Sequence, residues 1–552
     1  MGKYALGVDF GTLSGRALLI DVETGKEVAI AEKEYKNGVI DSFLPNGKIK
    51  LEDNWALQNP EDYLDVLKET ITEVIEMADI EASEIIGVGI DFTSCTVIPV
   101  DENYEPLCCK KEFEDIPHSY AKLWKHHAAQ KEADEITEVL ENGYEKLLNR
   151  YGGKISSEYL LPKIWQMFKE DKTTYQKTYK FIEAADWIVY QLTGQEKRNS
   201  CCAGYKGLWS KSDGYPPKSL LKSIEPEFEN LVEEKLSNNV YSLGTKAGEI
   251  TDKGKILTGL EIGTPVAVGI IDAHAAVLAS GIIDVGKMLM IIGTSTCHMT
   301  LGKEEVNVPG ICGVVEDGMI PGYFGYEAGQ ACVGDNFDWL IKWCIPSQYE
   351  LDAKEKGLNM HDYLCDKIKE QKPGENGLLA LDWWNGNRSI LVDSDLSGLI
   401  IGCTLQTRPE DIYRALIEAT AFGTRMIVDT FEDSGIKIDE IIACGGIANK
   451  NNVLMQIYSD VTNRVIKILD SPNATAHGAA MFGAIAAGKG KGGYDDIEEA
   501  AINMSSTINK CVFPNKRNVQ IYDKMFSEYK QLYEYFGKGG NEVMKKLRYK
   551  KW

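Results

Sequence analysis

A short turn motif occurs twice in this chain, about half its length apart. Gly11-Thr12-Leu13-Ser14 lies between two strand-like segments, and Gly293-Thr294-Ser295-Thr296 lies between two others. A strand–turn–strand unit repeated at this distance indicates two copies of one fold. Because ligands bind preferentially in the clefts between domains, we expect two related domains with a ligand site between them.

Strand-like and helix-like segments alternate in both halves. Residues 4–8, 85–90 and 287–292 have the apolar character of strands, whereas 60–77 and 411–432 have helical periodicity. This alternation is typical of the α/β class. Thr407-Arg408-Pro409-Glu410 is interpreted as a capping box for the last of these helices. We place the domain boundary between 1–280 and 281–552, in the small-residue stretch around Ser280.

The composition excludes several classes of partner. Formal net charge is −23, so the surface repels the phosphates of nucleic acids and anionic lipids. The apolar run 264–283 carries Asp272 and His274, and burial of these ionisable side chains in a bilayer would cost free energy. The 13 cysteines include no CxxC pair, and no apolar leader precedes Gly7. We therefore expect a cytoplasmic protein that binds neither membrane nor nucleic acid.

The first turn has the residue types of a phosphate site. Asp9 ends a strand directly before Gly11 and Thr12, whose N–H groups and hydroxyl could face phosphate oxygens, and an acidic neighbour suits Mg²⁺. An ordinary hairpin in which Asp9 bonds to turn amides is the alternative. The matching turn at Gly293 and Thr294 favours phosphate, and no Walker-type loop is present.

A second glycine-rich segment follows the strand-like run 440–444. Gly445, Gly446 and Asn449 allow close backbone approach, as a purine and ribose lying on this turn would need. A simple strand-to-helix turn explains the same residues.

Asp272 follows an apolar strand and precedes a helix of small residues. A carboxylate at the carboxyl end of a strand stands where α/β sheets bind ligands, and it can accept a hydroxyl proton in phosphoryl transfer. The alternative is that Asp272 caps the helix. His274 is interpreted as a packed core histidine.

Eight short motifs occur in a consistent order: Val8-Asp9-Phe10-Gly11-Thr12, Gly89-Ile90-Asp91-Phe92-Thr93-Ser94, Pro162-Lys163-Ile164-Trp165, Asp186-Trp187 with Leu192-Thr193-Gly194, Ile271-Asp272-Ala273-His274, Gly293-Thr294-Ser295-Thr296-Cys297, Tyr326-Glu327-Ala328-Gly329-Gln330 and Cys444-Gly445-Gly446. Together they resemble the FGGY family of carbohydrate kinases, within the actin-like ATPase superfamily, over nearly the whole chain.

The resemblance implies two ribonuclease-H-like domains flanking a deep nucleotide and sugar cleft. It implies ATP and Mg²⁺ as cofactors and Asp272 as the base that activates a sugar hydroxyl. The first domain would carry the sugar site, the base and the first turn, and the second domain would carry the second turn and the adenosine site. The residues implied to face the phosphates are Asp9, which also holds Mg²⁺, Gly11, Thr12, Gly293 and Thr294, and those implied to contact the sugar are Ser94, Lys206, Asp272 and Glu327.

Within the family, the chain is most similar to members that phosphorylate ribulose. This similarity implies conversion of L-ribulose to L-ribulose 5-phosphate, a step of arabinose catabolism, and a homodimer. The segment Leu123-Trp124-Lys125-His126-His127 also fits, although Asp is expected in place of His126. Trp124 could stack on the sugar or pack in the core. Kinases of D-ribulose, D-xylulose or glycerol, and an actin-like ATPase without a small acceptor, are the alternatives.

Overall fold

The strands on either side of each glycine turn form the centre of a sheet. The computed structural model describes residues 3–548, and within them two seven-stranded sheets dominate. The strands are β1 Tyr4–Phe10, β2 Ser14–Asp21, β3 Glu27–Glu34, β4 Leu57–Gln58, β5 Ile85–Phe92, β6 Val97–Val100, β7 Ala121–Lys122, β8 Lys180–Glu183, β9 Arg198–Asn199, β10 Val240–Tyr241, β11 Lys246–Glu249, β12 Pro265–Ala267, β13 Ile270–Ile271, β14 Gly286–Ile292, β15 Thr296–Gly302, β16 Gly313–Glu316, β17 Phe324–Gln330, β18 Leu379–Leu381, β19 Leu399–Ile401, β20 Ile438–Cys444, β21 Val465–Leu469 and β22 Ile508–Val512.

Helices connect these strands and cover the sheets. They are α1 Pro60–Ala78, α2 Gln130–Glu141, α3 Glu145–Asn149, α4 Leu160–Glu170, α5 Lys172–Lys177, α6 Ala184–Thr193, α7 Ser200–Gly207, α8 Lys218–Ile224, α9 Leu231–Lys235, α10 Asp252–Thr258, α11 Asp272–Ala279, α12 Gly334–Cys344, α13 Ser347–Glu355, α14 Met360–Ile368, α15 Pro409–Asp433, α16 Gly446–Lys450, α17 Asn452–Thr462, α18 Ala474–Ala487, α19 Ile497–Met504, α20 Lys516–Gly537 and α21 Val543–Arg548.

The two large sheets repeat one topology. The first runs β11-β12-β5-β1-β2-β3, and β13 also pairs with β5. The second sheet repeats this strand order in the path β22-β21-β20-β14-β15-β17, and β16 is added at its edge. In both, the strand before the glycine turn has an antiparallel partner after the turn and a parallel partner on its other side. This correspondence confirms the predicted α/β fold of two related domains.

The helix α18 joins the two halves of the chain. It follows β21 in the second half, yet it packs on β1 and β5 of the first sheet and against α11. Glycine permits this close approach, because a Cβ on Gly89 would lie 1.7 Å from the Ala479 carbonyl oxygen and one on Gly478 would lie 1.9 Å from that of Ala275. The boundary between 1–280 and 281–552 remains a prediction.

The segment between β7 and β10 builds an apolar core of its own. Its centre includes Ile136, Leu161, Phe168 and Phe228, contributed by helices α2 and α4 and the neighbouring turns. Helix α4 of this segment packs against α7, which carries Lys206. The insertion therefore supplies one wall of the site described below.

One local prediction about α15 was wrong. Thr407 does not cap this helix, because the N-cap is Arg408, whose backbone N–H donates to the Asp411 carboxylate over 2.8 Å. The Thr407 hydroxyl instead accepts a hydrogen bond from the Thr404 N–H, within the preceding turn. The Asp411 side chain, three residues into the helix, thus satisfies the backbone N–H at the N-cap of α15. Pro409 occupies the first position of the helix.

Candidate active site

The carboxyl ends of neighbouring strands in the first sheet carry aspartates. Asp9 lies near the end of β1, Asp91 near the end of β5, and Asp272 directly follows β13. Strand β5 runs parallel to both β1 and β13, and Asp9 is paired in register with Asp91. Ligands of α/β sheets bind at this edge. The fold thus brings Asp9 and Asp272 to one edge and adds Asp91 to them.

Asp91 is fully buried, and within residues 3–548 neither of its carboxylate oxygens has a hydrogen-bond partner. Burial raises the pKa of Asp91 well above its usual range, and the charges of Asp9 and Asp272 add to the rise. The nearby cation is Arg16, whose Nε lies 3.2 Å from Asp9 Oδ2. A buried carboxylate without a partner is costly unless a proton or a cation neutralises it.

Asp272 is half-buried and is the first residue of α11. It does not cap this helix, because the N-cap is Ile271; the hydrogen bond to its Oδ1 comes from the adjacent Ala273 N–H, over 2.6 Å. Burial raises the pKa of Asp272 to about 7, and the charge of Asp9 contributes to the rise. A carboxylate that titrates near neutral pH is suited to accept a proton from a hydroxyl group.

Side chains hold the first glycine turn in place. Within the turn, the Gly11 N–H donates to the Ser14 carbonyl over 2.9 Å. The Gln58 amide donates to the Thr12 carbonyl over 2.8 Å, and the Trp124 indole N–H donates to the Thr12 hydroxyl over 3.1 Å. Trp124 is therefore attached to the first glycine turn through its indole N–H.

The second turn is also closed by a backbone hydrogen bond, which spans two residues instead of three. The Gly293 N–H donates to the Ser295 carbonyl over 2.9 Å, and the Val333 N–H, at the start of α12, donates to the Thr294 carbonyl over 2.7 Å. Thr294 is exposed, so its hydroxyl is available to a ligand.

The Gly445 turn lies directly beside this second turn. Gly445 directly follows β20, which is the parallel neighbour of β14, and has a φ of 98°. A Cβ at this position would lie 2.4 Å from the Ile292 carbonyl oxygen, so the close approach requires glycine. Gly446 is exposed. Asn449 is half-buried, and its backbone N–H donates to the Gly445 carbonyl over 3.3 Å.

Cys297 shows that the two halves of the chain approach each other at the site. It lies on β15, three residues after Thr294. Burial raises the pKa of the Cys297 thiol to about 12, and the charges of Glu327 and Asp272 add to the rise. Helix α11, which begins at Asp272, also packs against β15, so the first half of the chain contacts a strand of the second sheet here.

Lys206 and Glu327 form a buried ion pair across the same region. Lys206 Nζ lies 3.6 Å from Glu327 Oε2, and both side chains are almost fully buried. Burial lowers the pKa of His274, which leaves its ring neutral, and His274 Nε2 lies 3.4 Å from Glu327 Oε2. Burial alone would raise the pKa of Glu327, but Lys206, His274 and Arg388 hold it well below the usual range.

These contacts define the surroundings of three residues. Lys206 is buried, and Glu327 is bound by the cationic side chains of Lys206 and Arg388. His274 is a buried histidine, as expected, but it also contacts Glu327. The Ser94 hydroxyl is buried and has no hydrogen-bond partner within residues 3–548.

His126 lies in the core and not in the cleft. It is fully buried, its Nδ1 accepts from the Ala56 N–H over 3.3 Å, and its Nε2 lies 2.9 Å from Gln166 Oε1. Both ring nitrogens therefore have partners inside the protein, and His126 has the environment of a core residue.

The acidic edge fits a magnesium ion that is shared with a phosphate ligand. Within residues 3–548, no group of three or more His, Cys, Asp or Glu side chains has the arrangement of a metal site. Magnesium instead needs only one or two carboxylates, completed by water and substrate phosphates. Asp9, with the unpartnered Asp91 as its neighbour, supplies such a pair.

Comparison with protein families decides the assignment. The FGGY family of carbohydrate kinases matches in two parts, its N-terminal domain over residues 4–279 and its C-terminal domain over residues 288–487. The chain belongs to the FGGY family of carbohydrate kinases. It is therefore a phosphotransferase. No helix between residues 3 and 548 combines the length and apolar character needed to cross a bilayer.

Curated relatives of this FGGY kinase match it along their whole length. A ribulokinase of Anoxybacillus flavithermus is 53% identical over 547 residues, which is 99% of this chain and 97% of the relative. A ribulokinase of Bacillus licheniformis is 54% identical over 536 residues, which is 97% of each.

Solved structures show the same fold. A ligand-bound xylulose kinase from Lactobacillus acidophilus superposes with a TM-score of 0.79 at 18% identity, covering 96% of this chain and 98% of that one. A Plasmodium falciparum glycerol kinase with ADP superposes with a TM-score of 0.73 at 17% identity and the same coverage.

Two residues of this FGGY kinase's site were not singled out from the sequence. Asp91 lies inside a quoted family motif, and its position one residue before the end of a buried strand, like that of Asp9, was a usable signal. Arg388 lies in an irregular loop without a motif, and only the fold brings it to Glu327.

Proposed function

We propose that this kinase transfers the γ-phosphoryl group of ATP to a ketopentose, converting L-ribulose to L-ribulose 5-phosphate. The observation that carries the proposal is the position of Asp272, at the carboxyl ends of parallel strands and close to the buried Lys206–Glu327 pair. The ribulokinases that are 52–54% identical over nearly the full chain support ribulose as the acceptor. The step belongs to arabinose catabolism.

Asp272 acts as the general base. Its carboxylate accepts the proton of the attacking sugar hydroxyl, the hydroxyl oxygen bonds to the γ-phosphorus, and the bond from that phosphorus to the bridging oxygen of ADP breaks. The products are the sugar phosphate and ADP, and the proton remains on Asp272 until it passes to solvent. Burial raises the pKa of Asp272 to about 7, so this carboxylate is a stronger base than an ordinary aspartate and is still partly ionised near neutral pH.

The two glycine turns hold the phosphates from opposite domains. Gly11 and Thr12 act from the first turn, and Gly293 and Thr294 act from the second. Asp9, supported by Asp91, would hold Mg²⁺, which would neutralise phosphate charge.

The adenosine lies on the Gly445 turn. Gly445 and Gly446 leave its face open to the base and ribose, and Asn449 borders it. This turn is next to the second phosphate turn because β14 and β20 are parallel neighbours.

The sugar is bound by groups of complementary hydrogen-bonding type. Lys206 donates, Glu327 accepts, and the Ser94 hydroxyl, unpartnered within the described residues, does either. Pairing with Glu327 raises the pKa of Lys206 against the effect of burial, so the ammonium group stays charged. We infer a cytoplasmic enzyme that works as a homodimer.

Turnover on a panel of acceptors tests the proposal. ADP release, measured by a coupled assay, should be fastest with L-ribulose among L-ribulose, D-ribulose, D-xylulose and glycerol. A preference for another acceptor would mean that the protein is an FGGY kinase of that acceptor instead. ATP turnover that ignores every acceptor would indicate an actin-like ATPase instead.

A further inference from the structure

Arg388 lies at the sugar side of the site and has no role in the mechanism above. Its side chain crosses the backbone of β17, so that a Cβ on Gly329 would lie 3.4 Å from Arg388 Cδ. Arg388 Nη2 lies 3.5 Å from Glu327 Oε1 and 3.8 Å from Glu158 Oε2. Glu158 precedes α4 in the first half of the chain, so Arg388 spans both walls of the cleft.

The guanidinium group retains hydrogen-bonding capacity. An arginine has five N–H donors in a fixed planar arrangement. Within residues 3–548, the hydrogen bond that Arg388 makes is the long one to Glu327, and 26% of its side chain is exposed. A charged donor group is thus present at the cleft with most of its N–H groups unused.

The loop that carries Arg388 is firmly anchored. Asn387 and Asp393 exchange two backbone hydrogen bonds of 2.8 Å, and the Asn387 side chain accepts from the Leu391 N–H over 2.9 Å. The hydroxyl of buried Ser389 accepts from the Gly329 N–H over 3.1 Å, which fixes the loop to β17. An arginine held in this way is pre-organised, and less entropy is lost when it binds a ligand.

Polar groups from several segments surround Arg388. Lys206, on α7, lies 3.6 Å from the same Glu327 carboxylate, and its ammonium group lies 5.3 Å from the centre of the Tyr159 ring. The Tyr159 hydroxyl in turn donates to the Cys312 carbonyl over 2.7 Å. Convergent polar groups on the wall of a cleft are the mark of a binding site for a polar small molecule.

We propose that Arg388 is a further substrate-binding residue, which donates hydrogen bonds from its guanidinium group to oxygen atoms of the bound ketose. This inference rests on the proposed function. Arginine donates and never accepts, whereas Glu327 and Glu158 only accept when ionised. Together these side chains can donate a hydrogen bond to a sugar hydroxyl and accept one from it. The carbonyl oxygen of a ketose only accepts hydrogen bonds, so it fits Arg388.

Steady-state kinetics of Arg388→Met and Arg388→Lys test the inference. We expect Arg388→Met to raise the KM for L-ribulose by about 10- to 100-fold, the range for a lost hydrogen bond to a charged group. The KM for ATP should stay within about twofold, and Arg388→Lys should recover part of the loss. Arg425→Met is the matched control, because Arg425 binds Asp523 on the surface of the second domain. An unchanged KM for the ketose would overturn the inference.

A double-mutant cycle separates sugar binding from mere positioning of Glu327. If Arg388 binds the sugar itself, Arg388→Met raises the KM again when it is added to Glu327→Gln. If it acts only through Glu327, the second substitution has no further effect, and the inference is wrong. Wild-type turnover of L-ribulose in the same assay tests the proposed function separately. Where the wild type prefers another sugar, that sugar replaces ribulose in the cycle.

Discussion

Asp9 and Asp91 are paired residues on neighbouring parallel strands, and Asp91 has no hydrogen-bond partner within residues 3–548 although it is fully buried. Ionisation of Asp91 places a second negative charge beside Asp9, where Arg16 is the compensating cation. Such an arrangement destabilises the ligand-free protein and prepares the site for a cation. The arrangement thus lowers the folding stability at the place where the phosphate ligand and its metal are expected.

Replacement of Asp91 by asparagine should stabilise the ligand-free protein. The amide removes the like charge and can donate to Asp9, so we expect Tm to rise by a few degrees, as for about 1–2 kcal/mol. The native pKa of Asp91 is raised, so the unfolded state releases this proton at lower pH than the native state does. Wild-type stability therefore falls as pH rises above about 4, and the advantage of the variant should grow between pH 5 and pH 8. Calorimetry in EDTA measures it, and equal or lower Tm values would contradict the account.

Replacement of Gly89 by alanine should separate α18 from the first sheet. The added Cβ would lie 1.7 Å from the Ala479 carbonyl oxygen, a backbone atom that cannot move alone. We expect destabilisation of about 3 kcal/mol or more, because overpacking forces the backbone to shift. Gly490→Ala is the control, since a Cβ there would meet nothing within 4 Å. Similar thermal denaturation of the two variants would show that α18 does not pack as described.

Much of the fold could be predicted from the sequence, because alternation and the repeated turn depend on local patterns. The helix at 60–77 and the strand at 287–292 differ from the observed α1 and β14 by one residue. The path of α18 could not be predicted, since its contact with β1 and β5 is made between residues hundreds of positions apart. The same holds for Arg388, which meets Glu327 only through the folding of an irregular loop.

The buried histidine His298 should make the protein sensitive to acid. Burial lowers the pKa of His298 to about 3, and its Nε2 lies 3.1 Å from the Thr424 hydroxyl. The unfolded chain binds this proton below about pH 6.5, whereas the native protein does not. Stability due to this site is therefore lost as pH falls from about 6.5 toward 3, by about 1.4 kcal/mol per pH unit.

Urea denaturation between pH 4.5 and pH 7 measures this slope. His298→Gln keeps a hydrogen-bonding group near Thr424 but binds no proton, so its stability should fall less steeply with acid. Parallel curves for the variant and the wild type would contradict the assignment of this slope to His298.

Loss of Lys206 should harm the protein more than loss of the whole ion pair. Lys206→Met removes one of the cations that neutralise the buried Glu327 carboxylate, and breaking one side of a buried pair costs about 3–5 kcal/mol. The double variant Lys206→Met/Glu327→Gln removes both charges and should recover part of the stability. Denaturation curves provide the comparison. A double variant that is less stable than Lys206→Met would refute the pairing.

Turnover of Asp272→Asn with L-ribulose tests the central claim most directly. Asparagine keeps the shape of the side chain but cannot accept the hydroxyl proton, so kcat should fall by about 10²- to 10⁴-fold while ATP still binds. ATP binding, followed by calorimetry on the same sample, shows that the cleft is intact. Turnover close to that of the wild type would contradict the role of Asp272 as the base.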